Sequence, residues 1–279
     1  MVAPPIVLTT DFGAASPYAG VLHGVVLRIN PSATIVDLTH QIQSQNIRQG
    51  SFILGANYRF FPENSIHVAV VDPGVGTNRK PLLVVTPSAR FLAPDNGLLS
   101  SVLGDHLQES PRQPGLVMLP TDCAAYYLTN SRYWLNPVSH TFHGRDIFAP
   151  VAAHLSLGVS PDQLGERARE IVWLPTPQPK RHGNGLAGEI LYIDHFGNLV
   201  TNIAVRELAD AATLEVEIKG HRISQLSRTF HQEPGQAGAL LALVGSHGYL
   251  EIAVADGSAA LYLGANTGEP VRVSGLPTD

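Results

Sequence analysis

The 279 residues, 44% of them hydrophobic, can bury the core of one large domain or of two unequal ones. A net charge of -5 with no Lys/Arg cluster argues against a nucleic-acid or anionic-membrane partner and leaves a small molecule as the expected one. Cys123 is the only cysteine, which excludes an internal disulfide and a cysteine-based zinc site and makes the reducing cytoplasm the expected compartment.

The first residues, Met1-Val2-Ala3-Pro4-Pro5, carry no signal-peptide pattern, and no apolar run approaches the roughly 18 residues of a membrane span. Ile6 to Thr9 reads as a buried strand ending in Thr10-Asp11-Phe12-Gly13, and residues 17–29 have helical apolar spacing with Pro17 in the first turn. Thr34 to Asp37 reads as a second strand, Ile47 to Phe60 as a helix and Ile66 to Val71 as a third strand. Pro81 to Thr86 and Phe91 to Ala93 suggest a pair around a turn, and Asp95-Asn96-Gly97 supplies capping chemistry for a helix over 96–103. Ile147 to Leu155 is predicted helical, which places His143 just before a helix N-terminus, where the dipole favours a neutral imidazole. Helices spaced between strands imply an α/β domain over residues 1–174, with a mainly parallel sheet sandwiched by helices.

Residues 175–185 are rich in Pro, Gly and charge, the profile of a linker. Beyond it, Gly188 to Ile193, Thr213 to Ile218, Leu240 to Val244, Leu250 to Val254 and Val271 to Val273 are short strand signals broken by turns. They predict a smaller, all-β, barrel-like domain over 186–279.

Asp72 stands where the third strand opens into Pro73-Gly74-Val75-Gly76, and Arg79 returns beside it. In a parallel sheet that edge is where ligands bind. With His143 these residues supply a carboxylate, a cation and a titratable imidazole, the minimum for fixing and polarising a water molecule. Each also has a plainer explanation: Asp72 and Arg79 as a structural ion pair, His143 as a satisfied loop histidine, and Arg145-Asp146 as a helix-start pair. Asp11 could accept the two hydroxyls of a ribose or simply cap a turn. In the second domain Asn198 suits a purine edge, Asp194 could pair with an ammonium and Phe230 could stack on a base. A β-turn at Gly197-Asn198, a core fate for Phe230 and a hairpin at Ser246-His247-Gly248-Tyr249 explain the same residues without a ligand. No His-x-x-x-His, His-Glu-x-x-His or EF-hand spacing links the 12 histidines, so no metal site is expected.

Seven segments in order carry a resemblance: Thr-Thr-Asp-Phe-Gly at 9–13, Phe-Phe-Pro-Glu at 60–63, Val-Asp-Pro-Gly-Val-Gly at 71–76, Ala-Pro-Asp-Asn-Gly-Leu-Leu at 93–99, Thr-Phe-His-Gly-Arg-Asp-Ile-Phe-Ala-Pro at 141–150, Ile-Asp-His-Phe-Gly-Asn-Leu-Val-Thr-Asn at 193–202 and Gly-Tyr-Leu-Glu-Ile-Ala at 248–253. Together they resemble the S-adenosyl-L-methionine hydrolases (SAM hydroxide adenosyltransferases), relatives of the fluorinase and chlorinase. The resemblance implies hydrolysis of S-adenosyl-L-methionine (SAM) to adenosine and L-methionine, with SAM as substrate and no cofactor or metal. It also implies a homotrimer whose active sites lie between the N-terminal domain of one subunit and the C-terminal domain of the next. By the family pattern Asp72, Arg79 and His143 activate water, Asp11 holds the ribose, Asn198 and Phe230 the adenine, and Asp194 and Ser246 the methionine end. The halogenating relatives replace the pair at His143-Gly144 with an aromatic and a small hydroxyl residue, so this pair indicates water rather than halide. Halide-dependent cleavage and non-catalytic binding of SAM or adenosine are the competing expectations.

Overall fold

The computed structural model describes residues 3–208, 214–230 and 238–277. The chain forms two compact units, Met1–Thr176 and Pro177–Asp279. No helix among the described residues is long and apolar enough to cross a membrane.

In chain order the first unit contains β1 (Ile6–Thr10), α1 (Tyr18–Ile29), β2 (Ile35–Thr39), α2 (Ile47–Asn57), β3 (Ser65–Val70), β4 (Pro81–Val85), β5 (Ala89–Pro94), α3 (Ser100–Gly104), β6 (Gly115–Met118), β7 (Ala124–Tyr127), α4 (Ala149–Ser156), β8 (Glu166–Ala168) and β9 (Glu170–Trp173). Seven strands form one sheet in the order β2-β1-β3-β5-β4-β7-β8, and β6 pairs with β9 apart from it. The neighbours β2-β1, β1-β3 and β3-β5 run parallel, and β4, β7 and β8 extend the sheet antiparallel.

Every residue of β1 and β3 is buried, which explains their near-continuous apolar sequence: both faces of a parallel strand are covered. Leu22 and Val26 of α1 and Val151 and Leu155 of α4 pack with Ile6, Leu8 and Val68 on one face. Leu54 of α2 and Val102 and Leu103 of α3 pack with Val71, Leu82 and Phe91 on the other. Burial of each such side chain contributes roughly 1.5–3 kcal/mol, so the face pattern fixes the strand register.

Two stretches differ from their sequence pattern. The helix expected over 96–103 begins only at Ser100: Asn96 Oδ1 accepts the Leu98 N–H in a local turn through Gly97 (φ +94°), while Asp95 and Asn96 Nδ2 bond other segments. The helix expected from Ile147 starts earlier, as a single π-helical turn over Gly144–Phe148 that runs into α4.

The second unit contains β10 (Lys180–His182), β11 (Gly185–Ile193), β12 (Leu199–Ala204), β13 (Glu215–Ile218), β14 (His221–Ile223), β15 (Leu226–Ser227), β16 (Leu240–Val244), β17 (Tyr249–Val254), the short helix α5 (Ala259–Leu263) and β18 (Pro270–Ser274). Its nearly closed, barrel-like sheet runs β14-β13-β18-β11-β12-β17-β16-β15, with β10 paired to β11. Lys180–His182, within the stretch read as linker, thus form a strand, and Thr213 of the expected strand 213–218 lies outside the described residues. Leu186, Ile190, Leu199, Ile252, Val271 and Val273 belong to one core.

Candidate active site

Asp11 follows β1 and Asp72 follows β3, and the pairing of Thr10 with Val70 brings both carboxylates to the same C-terminal edge of the parallel strands. From there residues 71–80 cross the end of β5 to reach β4. Asn96 Nδ2 donates to the Val71 carbonyl (2.9 Å) and the Asp95 N–H donates to the Lys80 carbonyl (2.9 Å), so both ends of the crossing are fixed by the residues that follow β5. Within it Thr77 Oγ1 donates to the Gly74 carbonyl at 2.7 Å.

Arg79 Nε donates to Asp72 Oδ1 at 3.0 Å, and Nη2 donates to Asp72 Oδ2, closing a bidentate pair. Both side chains are buried, Arg79 at 7% and Asp72 at 5% exposure. Nη2 also lies 3.1 Å from His143 Nδ1. A guanidinium has only donors, so His143 Nδ1 is the acceptor and the neutral ring carries its proton on Nε2. Burial first, and then the positive charge of Arg79, push the His143 pKa below its ordinary value, which agrees with that neutral form. The sequence assigned this shift to a helix dipole; the structure assigns it mainly to desolvation and a neighbouring cation. Arg79 Nη1 is buried with no hydrogen-bond partner. A buried guanidinium donor left open requires an acceptor, and this one lies within the charged trio.

His143 is carried to Arg79 by a main-chain contact. Gly76 has φ +76°, and a Cβ there would stand 2.2 Å from the His140 carbonyl oxygen, so only glycine lets the 140–143 segment dock on the 72–79 loop. Asp146 holds the same segment from behind. It is buried, accepts from Arg145 Nε (2.6 Å) and Nη2 (2.9 Å), and its Oδ2 accepts the Ser139 N–H at 2.8 Å. The helix-start pair expected at Arg145-Asp146 therefore braces the histidine loop. Phe12, Tyr18 and Phe142 meet edge to face beside it, with centroids 5.1–5.8 Å apart. A Cβ on Gly144 would lie 3.2 Å from Phe12 Cζ, so the residue after His143 must be small for this aromatic corner to form. Sequence reasoning missed the corner because its members are distant in the chain. Asp11 is half-buried, and its Oδ2 accepts the Gln45 N–H at 2.8 Å, leaving Oδ1 as the remaining acceptor.

In the second unit Asp194 and Asn198 form one turn between β11 and β12. Asp194 Oδ1 accepts the N–H groups of Phe196 (2.9 Å) and Asn198 (2.8 Å), and Oδ2 accepts Asn198 Nδ2 at 2.8 Å. The Gly197 N–H also donates to the Asp194 carbonyl at 3.1 Å, so a β-turn over 194–197 precedes Asn198, whose Oδ1 and second Nδ2 hydrogen are outside these bonds. Phe196 beside it is 75% exposed, an aromatic face the sequence did not single out. Ser246 is exposed in the hairpin turn between β16 and β17. Leu199 pairs with Ile252 and Ala204 with Tyr249, so Ser246 lies at the opposite end of β17 from Asn198. Phe230 is 49% exposed, which excludes a core role within this chain.

Family models match both units: the SAM hydroxide adenosyltransferase N-terminal domain over residues 6–165 and its C-terminal domain over 188–272. The chain is 36% identical over 273 residues to the (R)-S-adenosyl-L-methionine hydrolase of Salinispora arenicola, covering 97% of this chain and 98% of that protein. It is 28% identical over 284 residues to the fluorinase of an Actinoplanes species, with 90% of each chain covered. The crystal structure of an uncharacterized conserved protein from Thermotoga maritima superposes with a TM-score of 0.83 at 33% identity, covering 96% of this chain and 99% of that one.

Proposed function

The chain belongs to the SAM hydroxide adenosyltransferase family, and from that premise we propose that it hydrolyses SAM to adenosine and L-methionine by in-line attack of a bound water on ribose C5′. The observation that carries this reading is the buried, unpartnered Nη1 of an Arg79 locked by Asp72 and His143.

The sulfonium departs as a neutral thioether, so the leaving side needs no acid. The nucleophile alone needs help. A water on Arg79 Nη1 accepts a hydrogen bond that strengthens as it becomes hydroxide-like and its proton is lost. Asp72 keeps the guanidinium in one pose, so that stabilisation costs no reorganisation during attack. The carbon–oxygen bond to C5′ forms as the carbon–sulfur bond breaks, and the sum is SAM plus water giving adenosine, methionine and one proton. SAM and water are the only reactants, with no cofactor.

The same reading gives Asp11 the ribose hydroxyls, Asn198 and Phe230 the adenine, and Asp194 and Ser246 the methionine end. The second group comes from a neighbouring subunit of a homotrimer, and the single cysteine suits the cytoplasm.

Purified protein incubated with SAM should release equal amounts of adenosine and methionine without added metal. Light scattering should give about three times the 29.8 kDa chain mass. A 5′-chloro-5′-deoxyadenosine product in chloride buffer would replace this reading with halogenation, and tight SAM binding without turnover would replace it with a binding role.

A further inference from the structure

Three ligand-type side chains, distant in sequence, meet in the first unit. His23 lies on α1, Asp37 on β2 and His40 just beyond β2. Their ligand atoms are all within 4.8 Å of one another. His23 Nε2 is hydrogen-bonded to Asp37 Oδ1 at 2.8 Å, a bond that an ion would replace, and His40 Nε2 is ion-paired to the same oxygen at 3.0 Å.

Two features separate this cluster from an ordinary surface pair. First, His40 Nε2 is buried, in a side chain only 10% exposed, and makes no hydrogen bond despite the 3.0 Å separation. The contact has the length of an ion pair without the alignment of a hydrogen bond. Tetrahedral ligands about 2.1 Å from one metal lie about 3.4 Å apart, so these side chains would have to part by roughly half an ångström to take the ion. Second, the other nitrogen is already held: His40 Nδ1 is 2.8 Å from Thr10 Oγ1 at the end of β1. An imidazole that donates Nδ1–H to a neighbour keeps its Nε2 lone pair for a metal.

The other such group among the described residues, His106, Asp122 and Cys123, is poorer. Burial pushes the Cys123 thiol up to about 12, and Cys123 Sγ donates to Asp122 Oδ1.

We propose that His23, Asp37 and His40 bind one divalent transition-metal ion of the zinc, cobalt or nickel class, with water in its remaining positions. Two imidazoles and one carboxylate suit such ions and disfavour magnesium or calcium, which take oxygen ligands. The ion ties α1, β2 and the end of β1 together beside Asp11; the hydrolysis of SAM does not depend on it.

The full chain, stripped with a chelator and titrated with zinc chloride in a calorimeter, should bind one equivalent. His23→Gln and Asp37→Asn should each weaken binding at least about tenfold, and Thr10→Val, which removes only the group orienting His40, by about 10- to 100-fold. His106→Gln should leave it unchanged. His23 lies at the surface, so His23→Gln should match the metal-free parent in unfolding midpoint but lose the parent's rise in midpoint with zinc. Absence of one-equivalent binding, equal affinity in the parent and His23→Gln, or loss of binding in His106→Gln overturns the proposal.

Discussion

At Arg79 one side chain serves three purposes, and its geometry matters more than its charge. The fork satisfies Asp72 with two donors, faces His143 with Nη2 and keeps Nη1 open. Arg79→Lys preserves the charge but offers one point donor, so kcat should fall about 10²- to 10³-fold with KM within a few-fold. A loss confined to KM would instead assign Arg79 to substrate binding. His143 accepts from Arg79 only when neutral, and its pKa is lowered, so activity should persist as pH drops through 6.5, the ordinary value, and fail only below it. An acid limb of kcat/KM centred above that value would contradict the assigned tautomer. The residue types of this trio were legible in the sequence, because a carboxylate ending a strand and an arginine returning from a glycine turn are local signals. The division of labour among the arginine nitrogens was not, since it depends on a segment more than sixty residues away.

Among the elements, the 72–79 loop and the 140–143 segment form the site by packing backbone on backbone. Gly76→Ala forces a Cβ against the His140 carbonyl at a positive φ, so the histidine segment must lift. The substitution should destabilise the fold by about 1–3 kcal/mol and lower kcat by about tenfold or more, with the far-UV spectrum unchanged. Unaltered kinetics and melting would mean that the two segments are positioned by other contacts. The motif at 93–99 shows where local reading fails. Asp95-Asn96-Gly97 has the composition of a helix start, yet Asp95 accepts the Val172 N–H and Asn96 holds the Val71 carbonyl. Asn96 Oδ1 still accepts the Leu98 N–H at 3.2 Å, so the local turn forms alongside the long-range bonds, and no short pattern encodes those partners. The strand β12 was hidden for a similar reason: its polar residues Thr201 and Asn202 are buried and spent on main-chain groups, which breaks the apolar pattern of a strand.

For the molecule as a whole, stability carries its own pH dependence. His67 is fully buried in β3, stacked on Phe91 with ring centroids 5.0 Å apart, and burial lowers its pKa to about 4. Between that value and 6.5 the unfolded chain binds a proton that the folded chain does not, so stability falls as pH drops through this window, by up to about 3 kcal/mol. Melting curves at pH 7, 6 and 5 should show the loss, and His67→Phe should flatten it. An equal slope in the variant would place the sensitive group elsewhere. The mixed α/β character of the first unit and the barrel-like sheet of the second were readable from the spacing of apolar residues, although the short helix α5 was not. The order of the strands was not, because pairing is set by which faces fit together. That order has a further consequence. The loop bearing Asp72 and Arg79 is an arch over the end of β5, with the Val71 carbonyl at one abutment, the Lys80 carbonyl at the other and the ion pair as a tie across its span. An arch tied in this way does not swing. Its amides should therefore be among the slowest of the loop amides to exchange with solvent.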